Sequence, residues 1–268
     1  MANKSAIFIG GAILALLLCV AAFAPALAPH SPTAQNLADD LAGSSGAHFL
    51  GTDKLGRDVL SRIVYGSRIS LAVGATTVSI SILIGLTLGA ISGYFGGWVD
   101  QLLMRLVDIL MAFPGILLAI AFTAVLGPGL DHVVLALSLI GWTGYARLVR
   151  GEILALREKE FVQAAVALGA APARVVGVHM LPNLLPSLSI QATFGVAAAI
   201  IAEGSLSFLG LGAEPPAPSW GAMLNEGRQF ILVAPHLTAY PGLAIMATVL
   251  ALNLVGDGLS DRLEKKGK

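Results

Sequence analysis

The chain has 268 residues, 56% of them hydrophobic and 12% charged, with a formal net charge of zero. Soluble domains carry about 25% charged residues, so the composition points to a membrane protein, and the zero balance excludes the basic footprint of a nucleic-acid binder. Glycine is abundant at 31 residues, aromatics are sparse at 6%, and mean hydropathy is +0.82, a profile suited to closely packed membrane helices.

A helix needs about 20 apolar residues to cross the hydrocarbon of a bilayer, and the chain predicts an all-α polytopic protein with six such runs. They are Ser5–Ala28, Ile69–Tyr94, Gln101–Leu126, His132–Val149, Pro186–Leu209 and Leu237–Val255. Nothing reads as period-2 strands, so a barrel is not expected. Lys4, the first apolar run and "ALA" at Ala26–Ala28 also fit a cleaved signal peptide. The run exceeds the usual apolar stretch of about 7–15 residues, which favours a retained anchor. Cys19 lies in that run and supports neither a disulfide nor a metal site.

With the N-terminus inside, the inner segments hold Lys4, Arg105, Arg147, Arg150, Arg157, Lys159, Arg174, Arg262, Lys265, Lys266 and Lys268. The outer ones hold only Lys54, Arg57, Arg62, Arg68 and Arg228. The bias places both termini in the cytoplasm. Residues 1–68 read as an anchor plus an extracytoplasmic loop, and 69–268 as a core of five spans. No internal repeat is evident, which weakens an inverted-repeat secondary transporter. In span two, Gly85, Gly89 and Gly93 share one face and suit close helix packing.

Arg105 and Asp108 in span three fall on one helix face. They fit either a local ion pair near the inner interface or a polar lining or latch between helices. Pro114, lacking an N–H, should kink that span. Glu203, in span five, has no basic residue within a helical turn. It suits a translocation path that meets a cationic group, a hydrogen bond to a neighbouring subunit, or a protonated carboxyl.

Between spans four and five the cytoplasmic segment 158–183 is too polar to cross a bilayer. Glu158–Leu168 is rich in good helix formers, Glu, Lys, Gln, Ala and Leu. Gly169 suits a left-handed cap, and Pro172 suits the first turn of a second short helix over Ala173–Met180, which Pro182 should stop. Small residues, Ala164 and Ala165 among them, line this elbow and permit close approach of another surface. An amphipathic helix resting on lipid is the other reading. Outside the membrane, Ser219 is a candidate N-cap for a short helix reaching Gln229.

The stretch "QAAVALGAAPARVVGVHMLPN" resembles the EAA loop of binding-protein-dependent ABC transporter permeases. Ala164, Ala165, Gly169 and Pro182 fall on that pattern, and Gln163 stands where it has Glu, so an ion pair made by that Glu is lost. "HFLGTDKLGRDVLSRIVYGSRISL" and "AEGSLSFLGLGAEPPAPSWGAMLNEGRQ" are similar to the C-type subunit of the dipeptide/oligopeptide/nickel branch. The resemblance implies a coupling helix that seats in a cytoplasmic ATPase. It also implies a second homologous permease, two ABC ATPase subunits that use ATP and Mg, an extracytoplasmic solute-binding protein, and a place in a bacterial inner membrane. Peptide is the first choice of cargo, with nickel and glutathione-like solutes as alternatives.

The chain has no G-x-x-x-x-G-K-[ST] phosphate loop and no G-x-S-x-G elbow. Its histidines, His30, His48, His132, His179 and His236, show no paired metal spacing. No catalytic or metal-binding residue is therefore assigned, and no cofactor is expected on this chain. The competing class is a self-sufficient secondary transporter or channel.

Overall fold

The computed structural model describes residues 2–266. Its longest helix, α3 (Val59–Phe95), starts where the Asp58 side chain accepts from Ser61 N at 2.7 Å, and it stops at Gly96, whose φ of +66° is open to glycine. Along α3 the glycines form a seam with α6 (Leu130–Arg157). A Cβ on Gly85 would lie 2.7 Å from Trp142 O, on Gly89 2.5 Å from Ala146 O, and on Gly93 3.0 Å from Arg150 O. The two backbones approach so closely because those positions carry no side chain.

Helix α1 (Ala2–Ala22) continues through a short α2 (Ala24–Leu27) and packs antiparallel to α11 (His236–Lys266). Gly10 sits against Ala251 and Leu254, and Ile7 against Gly258. Leu14, Leu17 and Ala21 join a core of Leu71, Ala197, Ile200 and Leu252, so the anchor is part of the bundle. Helix α9 (Leu181–Phe208) runs through the centre, and α10 (Trp220–Gly227) lies across its C-terminal end. Ser219 caps α10, accepting from Ala222 N at 3.2 Å.

Among the described residues, four helical stretches are long and apolar enough to cross a membrane: Val59–Phe95, Leu130–Arg157, Pro172–Phe208 and His236–Leu263. The expected third span is not one rod. Helices α4 (Gly97–Met111) and α5 (Gly115–Leu126) meet at a bend of 85°. Pro114 occupies the break as the residue before α5, so its missing N–H turns the chain far more sharply than a kink. Ala6–Ala22 supplies a shorter apolar helix. The expected boundary at 68/69 falls inside α3, which begins at Val59.

The bundle has two distinct ends. At one, the segments 28–58 and 209–235 meet: Arg57 pairs with Glu226, and His236 Nε2 lies 3.3 Å from Thr52 O. At the other, Arg157 donates to Gly93 O at 3.2 Å, next to the elbow. Helix α11 runs from the first end to the second and α1 is antiparallel to it, so the start of α1 and the finish of α11 share the elbow end.

Candidate functional site

The elbow is built from α7 (Glu160–Ala167), a turn, α8 (Pro172–Arg174) and a π-helical stretch, Val175–Met180, that flows into α9. Gly169 has φ +80°, and two hydrogen bonds close the turn: Gly169 N to Val166 O at 2.9 Å and Ala170 N to Ala165 O at 3.1 Å. This paired arrangement satisfies carbonyls that the helix end leaves free. Pro172 opens α8 as expected. Pro182 does not stop the second helix. It stands two residues after the π-helical stretch Val175–Met180, which loosens the preceding hydrogen-bond ladder, and the helix runs unbroken from Pro172 to Phe208. The π turn carries the elbow directly into the fifth span.

One face of the elbow belongs to the core. Val162, Val175 and Met180 are buried with Val149, Ile153 and Leu184 from α6 and α9. The opposite face is bare: Phe161, Val166 and Val178 are about half exposed, and Leu168 is 89% exposed. Ala164, Ala165 and Gly169 line one concavity together with Leu168 and Arg174. Gln163 opens onto a separate groove with Tyr94 and Arg157, while Pro182 is exposed beyond the turn. The structure thus brings three of the five motif residues together and sets the other two apart.

Asp108 does not pair with Arg105. Its Oδ1 takes Arg147 Nη2 of α6 at 2.7 Å, and Arg105 is exposed. One and a half turns away from Arg105, Asp100 accepts from Arg150 at 2.5 and 2.7 Å and from Ser92 Oγ at 2.5 Å. Helix α4 lies antiparallel on α6, which sets two acids against two arginines spaced three apart. Helical spacing within span three cannot reveal a partner that arrives from another helix.

Glu203 is 1% exposed. It accepts from Ser207 Oγ at 2.8 Å and Ser70 Oγ at 3.4 Å, and Ser70 Oγ in turn accepts from Trp220 N at 3.4 Å. The carboxyl joins α3, α9 and α10 rather than lining an opening. A cavity of about 280 Å³ lies nearer the bundle middle, bounded by Thr77, Ser81, Gly115, Tyr145, Gln191 and Gly195. Gly115, next to Pro114, reaches its wall, whereas Glu203 does not.

At the end opposite the elbow, Arg57 and Arg62 are buried against two acids. Arg57 Nε meets Asp53 Oδ2 at 2.6 Å, and Arg57 Nη2 meets Glu226 Oε2 at 2.6 Å. Arg62 reaches the same Glu226 at 3.0 Å and Asp53 at 3.4 Å. Sequence reading could not pair these charges, because 164 residues separate Arg62 from Glu226. Nor did it foresee that His30 and His48 come together with Asp58.

A helical bundle with a broken apolar span, an elbow at one end and a polar cap at the other is an architecture suited to a membrane transport permease. The chain belongs to the family described as binding-protein-dependent transport system inner membrane component, which matches residues 85–267. Residues 1–43 match the N-terminal TM domain of oligopeptide transport permease C. The chain is 46% identical to the dipeptide transport system permease protein DppC of Alkalihalophilus pseudofirmus, over 99% of this chain and 87% of the relative. It is also 46% identical to the glutathione transport system permease protein GsiD of Pectobacterium atrosepticum, over 96% of this chain and 86% of the relative. Among solved structures, the inward-facing MetNI methionine ABC transporter has the same fold, with TM-score 0.61 at 22% identity, covering 74% of this chain and 94% of that one. The chain is thus a membrane-embedded ABC importer permease of the peptide-permease C type, a transport protein rather than an enzyme.

Proposed function

We propose that this chain forms one half of a peptide translocation path and passes ATP-driven motion into it through the elbow. The observation that carries this reading is the division of the elbow into a buried inner face and a bare apolar tip at Leu168. A tip resting on a flexible loop would dissipate a push. This one is continuous with α9 and packed on α6, so displacement at Leu168 moves the helices that bound the central cavity.

In this reading the tip seats in one of two ABC ATPase subunits, and those subunits bind ATP and Mg. A second, homologous permease completes the path, and an extracytoplasmic solute-binding protein delivers cargo to the outer end. The excess of Lys and Arg at the elbow end supports an orientation with that end and both termini in the cytoplasm, and the inner-membrane family supports a bacterial inner membrane as the location. The relatives named for dipeptide and glutathione support a short peptide as cargo. The path would open outward as the ATPases close, accept cargo, and reset on hydrolysis.

The test is to purify the tagged chain in mild detergent from its native membrane and identify what accompanies it. Two ATPases and one homologous permease are expected, and reconstituted vesicles with the cognate binding protein should take up labelled dipeptide on addition of ATP. Recovery of the chain alone, or ATP-independent uptake driven by an ion gradient, would replace this reading with a secondary transporter. Uptake of nickel but not peptide would keep the coupling scheme and change the cargo.

A further inference from the structure

We infer that His30, His48 and Asp58 form a binding site for a divalent transition-metal ion at the outer end of the bundle. Their ligand atoms all lie within 4.8 Å of one another. His48 Nδ1 is 2.9 Å and His30 Nδ1 3.7 Å from the same oxygen, Asp58 Oδ1. Nitrogen and oxygen ligands about 2.0–2.2 Å from a tetrahedral zinc ion stand roughly 3.4 Å apart, so these two separations bracket the required one.

The three groups are held in place by contacts from outside the trio, and the one bond among the ligand atoms joins His48 Nδ1 to Asp58 Oδ1 at 2.9 Å. Asp58 Oδ2 is committed to Ser61, taking its N and Oγ at 2.7 Å each, and Oδ1 faces the imidazoles. Ser61 Oγ also accepts from His30 N at 3.0 Å, so one hydroxyl orients both ligands. His48 is fixed by its backbone, with its N donating to Ser45 Oγ at 3.0 Å and its carbonyl accepting from Gly51 N at 3.0 Å. The two imidazole rings lie 4.7 Å apart at 35°. Both Nδ1 atoms point at one carboxylate oxygen, yet only the His48 nitrogen is within hydrogen-bond range of it. His30 Nδ1, at 3.7 Å, is too far to bond directly and well placed to share a cation.

Burial grades outward: the side chain of Asp58 is 1% exposed, of His48 16% and of His30 41%. An ion could enter past His30 and keep a fourth position open to water or to a ligand from outside. Two imidazoles and one carboxylate select zinc, nickel or copper over magnesium or calcium, which prefer all-oxygen shells. His30 and His48 lie in the connection after α2, and Asp58 caps α3. The ion would therefore staple the outer loop to the start of the longest helix. This site is independent of the coupling reading, because it uses residues at the opposite end of the bundle.

The experiment uses the full chain in mild detergent, carrying a histidine-free tag and stripped with a chelator, then titrated with zinc chloride and separately with nickel chloride by calorimetry. About one equivalent should bind, with elemental analysis after desalting giving the same stoichiometry. His30→Gln, on the exposed side, should weaken binding at least about ten-fold while leaving the size-exclusion profile unchanged. His48→Gln should do the same, and if it fails to fold, the His30 variant alone decides. No bound metal, or equal binding by wild type and His30→Gln, would overturn the site and leave the trio as a hydrogen-bonded loop clasp.

Discussion

Gly169 carries the sharpest single-residue requirement in the elbow. Its φ is +80°, and a Cβ there would meet nothing within 4 Å, so only the backbone conformation resists substitution. Gly169→Ala should cost about 1–2 kcal/mol of local stability. The expected outcome is a fall in transport per ATP hydrolysed by the reconstituted importer, with ATPase activity retained. Equal coupling in wild type and variant would count against the elbow as the transmission element. Glu203 makes the opposite prediction. Its bonds come from serine hydroxyls inside the chain, so Glu203→Gln preserves shape and an acceptor and should leave uptake nearly unchanged. Glu203→Ala strands those hydroxyls and should cost about 1–3 kcal/mol, read as a lower thermal midpoint.

At the scale of elements, the α3–α6 seam depends on absent side chains. Gly89→Val would drive atoms into Ala146 O and the Val149 side chain. Forced overpacking costs typically about 1–3 kcal/mol, and the backbone contact puts this case at the upper end, so folded yield after size exclusion should collapse. Gly151, on α6 but facing open space, is the control: Gly151→Ala should be neutral or stabilising by up to about 1 kcal/mol. The seam was legible in the sequence, because glycines spaced by four share a helix face. The 85° break between α4 and α5 was only half legible, since Pro114 marks a position without giving an angle.

For the whole molecule, the outer cap ties residues far apart in sequence into one unit. Glu226 faces both Arg57 and Arg62, which are buried. Without Glu226, Asp53 alone faces both guanidiniums, so one buried positive charge loses its partner at a cost of at most about 3–5 kcal/mol. Glu226→Ala should therefore loosen the outer loops and speed their cleavage by added protease. Protection equal to wild type would show that solvent reaches the arginines. The elbow stands at the far end of the same bundle, so this variant should leave ATPase association intact in the pull-down.

The apolar runs, the Gly169 cap and the Ser219 cap followed from the sequence alone. Each rests on a local rule: bilayer thickness, the freedom of glycine at positive φ, or a hydroxyl within reach of nearby N–H groups. The outcomes that needed the tertiary structure all involve partners from distant segments. Arg147 displaced Arg105 as the mate of Asp108 because α6 packs antiparallel on α4. Glu203 turned inward because Ser70 and the α10 end close over it. Pro182 was absorbed because the preceding turn is π-helical. His30 and His48 met at Asp58 because the outer loop folds back onto the start of α3. Local chemistry is written in residue order, whereas charges and metal ligands act through space, and only the packing of the helices fixes which of them are near.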